Sequence, residues 1–94
     1  MRLDTAQLEQ IRLSTLRHLD AAAATRFGLS TALLLQFIRS EGFAELQANI
    51  LKAELRYLAE KGLIASQPKT LSPENEHWAI TAAGRDFYST ATNG

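Results

Sequence analysis

Three polar residues in the middle of the chain, Asn49, Lys52 and Arg56, have side chains that can contact nucleic acid. On an α-helix, which turns by about 100° per residue, they fall on one stripe together with Ala53 and Glu60. The opposite stripe is apolar and consists of Leu51, Leu55 and Leu58. Asn and Arg can hydrogen-bond base edges and Lys can neutralise a phosphate, so the polar stripe is a candidate DNA-contacting surface. An ordinary solvated helix face is the alternative, and these residues alone do not decide between the two.

Two further residues belong to the candidate set. Gln47 joins the stripe if the helix begins there, and Lys69 is the one cation in a loop that also holds Glu74 and Glu76. We include Lys69 as a candidate phosphate contact, although the two acids repel phosphate and we expect this loop to matter little. Glu60 is also acidic, but it lies at the end of the helix that is farthest from the DNA major groove when such a helix docks on DNA in the usual way.

Residues suited to catalysis or metal binding are sparse. His18 and His77 are the two histidines, they fall in different predicted elements, and neither has an acidic partner at metal-ligand spacing. The chain has no Cys, no Gly-rich phosphate loop and no Gly-x-Ser-x-Gly phrase. We therefore expect no catalytic site, no metal and no cofactor, and predict that the protein is not an enzyme.

The composition predicts one small helical domain. The 94 residues leave room for a single core, and 15 Ala and 15 Leu with no Val favour helix over sheet. Ten basic residues balance ten acidic ones, which excludes a strongly basic nucleic-acid coat but allows a local basic patch. No apolar run approaches the roughly 20 residues of a membrane span, and the polar N-terminus does not resemble a signal peptide. We therefore expect a cytoplasmic protein with no membrane partner.

Helix and strand signals place the candidate stripe in a defined order of elements. Ser30 is a good N-cap, Gly62 ends a helix, and Thr81 can switch the chain from strand to helix by capping. The predicted elements are a helix over 4–24, a helix over 31–40, a helix that begins at Ala44 or Gln47 and ends at Gly62, strands over 63–67 and 77–81, and a short helix over 82–89. The single domain spans 4–88, and 89–94 are expected to form a flexible polar tail.

Two phrases in the second half of the chain carry a resemblance to a known family. They are Leu58-x3-Gly62-Leu63-Ile64 and Trp78-Ala-Ile-Thr81-x2-Gly84. With three helices followed by a hairpin, they resemble winged helix-turn-helix domains of the MarR and PadR type. The chain is also similar to small stand-alone winged-helix proteins of Mu-like prophages, which share the phrase Arg-Leu-x-x-Leu-Arg-x-Leu found here over 12–19. The resemblance covers 8–88 and implies a mainly α fold with a small β-hairpin: a three-helix core, a two-stranded wing and a short C-terminal helix.

The resemblance also implies a function. It predicts a duplex-DNA-binding protein, either a small transcriptional regulator or a phage-associated accessory protein. The alternative is a winged-helix module that binds an unknown protein partner and no DNA, which the zero net charge favours. Because such regulators commonly dimerise through terminal helices, we expect a weak homodimer. The apolar residues available for it are Leu3, Leu8, Phe87 and Tyr88.

Four arginines outside the stripe allow two interpretations. They could form a second basic area, or they could be solvated and paired with acids such as Glu9, Asp20 and Glu41. The four are Arg12, Arg17, Arg26 and Arg39.

Overall fold

The chain folds as a winged helix-turn-helix. The computed structural model describes residues 3–24, 28–67 and 76–93. Within these ranges the elements are α1 (Thr5–Ala21), β1 (Leu29–Ser30), α2 (Thr31–Ser40), α3 (Ala48–Glu60), β2 (Ile64–Ser66), β3 (His77–Ile80) and α4 (Ala82–Asn93). The predicted fold class, mainly helical with a β-hairpin wing formed by β2 and β3, is confirmed.

Local capping decides where the helices begin. Asp4 closes the start of α1 with a capping box, in which its carboxylate accepts from the Gln7 backbone N–H at 2.8 Å. Ser30 caps α2 as predicted, accepting from the Leu33 N–H at 3.1 Å. Gln47 is the N-cap of α3, so the later of the two predicted starts is correct. α1 stops at Ala21 rather than near residue 24, because the alanines after it bury too little surface to hold a further turn.

β3 is the central strand of a three-stranded antiparallel sheet in the order β1-β3-β2. Ile80 pairs with Ile64 of β2, and Trp78 pairs with Leu29 of β1 as well as with Ser66 of β2. The sequence predicted the β2–β3 hairpin, with strands slightly longer than observed, and it did not predict β1. Two residues are too few to show the period-two pattern of a strand.

The core lies between α1, α2, α3 and the inner face of the sheet. Its buried residues are Ile11, Leu16, Leu19, Leu34, Ile38, Leu46, Leu51, Leu55, Leu58, Ile64, Trp78 and Ile80. Trp78 is buried under the wing, and its Nε1 donates to Thr31 Oγ1 at 2.9 Å. Leu33 has an apolar side chain but is exposed. It follows buried Thr31 by two residues, which is about 200° of helix rotation and directs it away from the core.

A compact joint connects α3, the wing and α4. Gly62 ends α3 with φ +77°, and the Thr81 hydroxyl donates to the Gly62 carbonyl at 2.6 Å while it accepts from the Gly84 N–H at 3.0 Å. A β-carbon at Gly84 would collide with the Leu63 carbonyl, so the first turn of α4 lies directly against the Leu63 backbone. α4 continues to Asn93, four residues past its predicted end, and residues 90–93 of the predicted tail are helical.

Candidate nucleic-acid interface

The outer face of α3 carries the predicted polar stripe. Asn49, Lys52 and Arg56 are exposed, while the three leucines of the opposite stripe are buried. Within the described part of the chain, none of the three polar side chains has a hydrogen bond or an ion pair. Their donors are therefore available to a ligand without breaking a contact inside the fold.

Gln47 and Lys69 are the first and last residues of the candidate set. Gln47 is exposed, and although its backbone carbonyl accepts from the N–H groups of Ile50 and Leu51, its side chain makes no capping hydrogen bond. Its amide therefore does not cap α3, and it lies two residues before Asn49, the first residue of the stripe. Lys69 lies outside the described residues.

A groove of about 460 Å³ separates α3 from the wing, and we name it the α3–wing groove. Its lining residues are Thr31, Lys52, Arg56, Ala59, Glu60, Ser66, Glu76 and Trp78. The two cations come from α3, and the wing side contributes Glu76, whose Oε2 accepts from Ser66 Oγ at 2.7 Å. The α3 wall also holds Glu60 and so carries a net single positive charge, while the wing wall carries the negative charge of Glu76; an entering phosphate is attracted by the first and repelled by the second.

Hydrogen bonds fix the root of the wing to α2. The Thr31 N–H donates to the Glu76 carbonyl at 3.1 Å, and Trp78 Nε1, two residues further along the chain, donates to the Thr31 hydroxyl. Since Thr31 is the first residue of α2, the wing and the helix-turn-helix are held at one point. The packing of the wing against the helix-turn-helix therefore sets the width of the α3–wing groove.

The arginines outside the stripe are engaged in contacts within the fold. Arg12 Nε donates to Glu54 Oε1 at 2.6 Å, Arg17 pairs with Glu41, and Arg39 Nε donates to the Leu46 carbonyl at 2.8 Å. The paired interpretation is therefore correct for Arg12 and Arg17, and Arg39 uses a carbonyl in place of an acid. These contacts argue against a second basic area formed by Arg12, Arg17 and Arg39, while Arg26 lies outside the described residues.

Sequence reasoning missed the partner of Arg12. Glu54 is buried on the inner side of α3, and the guanidinium carbon of Arg12 lies 4.2 Å from the ring centre of Tyr57. Helix periodicity could have identified Glu54 as buried, because it lies only about 60° around the helix from Leu51. Nothing in the sequence identified its partner, since Arg12 is 42 residues earlier.

A second cluster joins the end of α1 to the end of α2. Glu41 contacts Arg17 and His18 and accepts from Ser14 Oγ at 3.1 Å, and the His18 ring stacks on Phe37 with 4.8 Å between ring centres. Burial of the His18 ring, followed by the charge of Arg17, lowers the pKa of His18 below its usual value. No group of three or more His, Cys, Asp or Glu residues among the described residues is placed to hold a metal ion.

Comparisons with known proteins support the fold. No protein-family model matches the chain, and no curated protein sequence matches it. Among solved structures, the crystal structure of SSV1 F-93 is similar, with a TM-score of 0.62 over 88% of this chain and 82% of that chain, at 13% sequence identity. At this identity the similarity concerns the fold, which is that of a winged helix. In the described part of the chain, no helix is both long and apolar enough to cross a membrane.

Proposed function

We propose that this protein binds duplex DNA through the outer face of α3, as a small transcriptional regulator or a phage-associated accessory protein. The observation that carries the proposal is the unpartnered polar stripe on the third helix of a winged helix-turn-helix. In helix-turn-helix proteins this helix enters the major groove and its side chains contact base edges. The MarR, PadR and Mu-like resemblances of the sequence agree with this use of the fold.

Each residue of the stripe has a distinct role in this proposal. Arg56 and Asn49 contact base edges, Arg56 as a bidentate donor to guanine and Asn49 to adenine. Lys52 neutralises a phosphate of the strand that enters the α3–wing groove. Gln47 adds an amide at the N-terminus of the helix, and Lys69 is a candidate phosphate contact from the loop.

The wing contributes less than α3. Glu76 faces the same groove as Lys52 and Arg56, so its carboxylate repels the phosphate that these cations attract. We therefore assign sequence preference and most of the affinity to α3. The Glu76→Gln variant is expected to bind DNA at least as tightly as the wild type.

The test is a titration on mixed genomic duplexes at several low salt concentrations. Loss of Lys52 in Lys52→Ala should weaken binding equally on all sequences and reduce the salt slope by about one. Arg56→Ala should cost about 1–3 kcal/mol on preferred sequences and relax the preference at one base pair. Arg85→Ala is the matched control, because Arg85 is an exposed cation on α4, outside both α3 and the wing.

The outcome separates this function from its alternative. If the wild type shows no salt-dependent binding, or if both stripe variants bind as well as the Arg85→Ala control, α3 does not contact DNA. The function as a protein-interaction module then replaces it, consistent with zero net charge. Retention on a heparin column at low salt gives the same discrimination with less material.

The proposed assembly is a weak homodimer. A second groove of about 520 Å³, the α1–α4 groove, is lined mainly by apolar side chains that include Leu13, Tyr57 and Phe87, with Phe87 49% exposed at its edge. Glu9 and Lys61 line the same groove, so two copies related by a two-fold axis can bring opposite charges together. Tyr88 and Leu3, also expected at this interface, pack partly against the core.

Sedimentation at high protein concentration tests the dimer. The wild type should show a concentration-dependent increase in mass, and Phe87→Ser should remain a monomer with unchanged helix content. Leu33→Ser removes an exposed leucine on α2 and is the control. A strictly monomeric wild type removes the dimer and the expectation of a palindromic binding site, but leaves DNA binding by α3 unaffected.

A further inference from the structure

Glu54 is an acid buried within an otherwise leucine-lined helix interface. Only 8% of the residue is exposed, and its Oε1 accepts a hydrogen bond of 2.6 Å from Arg12 Nε. Arg12 belongs to α1, and its guanidinium lies over the ring of Tyr57, which is also on α3. One arginine of α1 therefore contacts two side chains of α3 that lie three residues apart.

Such a pair does little for net stability, because the desolvation of two charges offsets much of their attraction. It differs from leucine packing in being directional, since the donor N–H and the carboxylate must align within a narrow range of angles and distances. The burial of Leu51, Leu55 and Leu58 is non-directional, so it restrains a small rotation of α3 less sharply. The Arg12–Glu54 contact permits much less of this motion.

We propose that the Arg12–Glu54 pair is a positioning device that sets the rotation of α3 about its own axis, and that Arg56 and Lys52 meet DNA correctly because of it. This inference rests on the proposed function and names the residues that regulate its specificity. Glu54 precedes Arg56 by two residues, so the pair holds α3 on the side roughly opposite Arg56. A contact there restrains rotation of α3 without occupying the stripe.

The size of the effect follows from helix geometry. With side chains included, a helix has a radius of about 5–6 Å, so a rotation of about 20° moves a group on its surface by about 2 Å. A hydrogen bond to a base edge tolerates only a few tenths of an ångström around its optimum. Phosphate attraction is less demanding, because it acts between charges over several ångströms. Loss of the pair should therefore reduce sequence selectivity more than it reduces non-specific affinity.

Two variants separate positioning from stability. Arg12→Met with Glu54→Met replaces the pair by apolar side chains of similar length, and we expect it to be as stable as the wild type or more stable. Glu54→Gln keeps a carbonyl oxygen for Arg12 Nε but removes the charge, and we expect it to be less stable. If the pair only stabilised the fold, selectivity would follow this order of stability. If the pair positions α3, Glu54→Gln is instead more selective than the double Met variant, although it is less stable.

Selectivity is measured on duplexes enriched from a random library by the wild type. We expect the ratio of dissociation constants for scrambled and enriched duplexes to fall about tenfold in the double Met variant, as for the loss of one base contact. In Glu54→Gln it should stay within about twofold of the wild type, and the salt slope on scrambled duplexes should be unchanged in both. Equal selectivity in the double Met variant and the wild type would overturn the proposal.

A second measurement needs no DNA. Since the chain has no native Cys, spin labels can be attached through Ala53→Cys on the exposed face of α3 and Ala65→Cys on β2. The distance distribution should be narrow in the wild-type background and in Glu54→Gln, and broader or shifted by about 2 Å in the double Met background. An unchanged distribution overturns the positioning role. A shifted distribution in a protein that binds no DNA supports the restraint on α3 and rejects the proposed function instead.

Discussion

α1 makes two ionic clusters with the helix-turn-helix, and they differ in burial. Near its middle, Arg12 pairs with Glu54 of α3, with side-chain exposures of 25% and 11%. In its last turns, Arg17 and His18 contact Glu41 at the end of α2, and there the exposures of Arg17 and Glu41 are 51% and 28%. The same helix thus binds one partner helix through a largely buried pair and the other through a solvated cluster. The number of contacts is greater in the second cluster, yet burial favours the first as the stronger restraint.

The physical reason lies in the solvent. Around Glu41, water and salt screen the charges, and each contact competes with hydration, so such pairs contribute about 0–1 kcal/mol. Around Glu54 there is little water, so the attraction is stronger and the loss of either partner leaves the other uncompensated. The connection between α1 and α3 is therefore rigid in orientation, whereas the connection between α1 and α2 responds to salt and pH.

The largest expected effect is the loss of Glu54. Glu54→Ala should lower the free energy of unfolding by about 2–3 kcal/mol, below the full range for buried pairs because Arg12 can hydrate when it is released. Urea denaturation at neutral pH measures it. An effect below about 0.5 kcal/mol would place this pair with solvated ones and remove the contrast between the clusters.

A smaller effect is expected for Glu41, even though it has three polar partners. Glu41→Ala should cost about 0.5–1 kcal/mol at low salt, and the cost should shrink as the salt concentration rises. The cost of Glu54→Ala should change little over the same range, because buried charges are screened less. Equal salt dependence of the two variants, measured by urea denaturation, would contradict the assignment of burial as the deciding factor.

The features that the sequence predicts depend on nearby residues, whereas those that it does not predict depend on residues far apart in the chain. Ser30, Gly62 and Thr81 mark element ends correctly because each acts on backbone groups within a few residues or in the adjoining turn. The exposed stripe of α3 is likewise predicted by helix phase alone. Arg12 and Glu54 are 42 residues apart, and no local pattern indicates that they meet. Their pairing depends on how α1 packs across α3, which only the assembled core determines.

Tertiary packing also explains β1, which the sequence does not predict, and the exposure of the apolar Leu33. β1 consists of two residues and exists because β3 has a free edge beside Leu29 and Ser30. Leu33 has the side chain of a core residue, but α2 directs it away from the core. In both cases a tertiary neighbour, or its absence, outweighs the type of the residue.

The smallest expected effect concerns pH and distinguishes the Glu41 cluster from an ordinary His–carboxylate pair. Burial and, second, the charge of Arg17 lower the pKa of His18 in the folded protein below the usual 6.5. The unfolded chain therefore takes up a proton at a higher pH than the folded chain does, so protonation favours unfolding. Stability from this group is complete above about pH 6.5 and decreases as the pH falls from there toward the folded-state pKa.

Comparison with His18→Gln isolates this contribution. Urea denaturation at about pH 7.5 and pH 5.5 should show that the wild type loses more stability on acidification than the variant does, because the two chains differ only at His18. The alternative is that Glu41 stabilises the protonated ring, which would raise the pKa of His18 and make the wild type gain stability relative to the variant at the lower pH. Arg17 and Ser14 already engage the Glu41 carboxylate, which leaves less of its charge for His18. The sign of this difference therefore decides whether His18 is held mainly by its stacking on Phe37 or by its ionic partner.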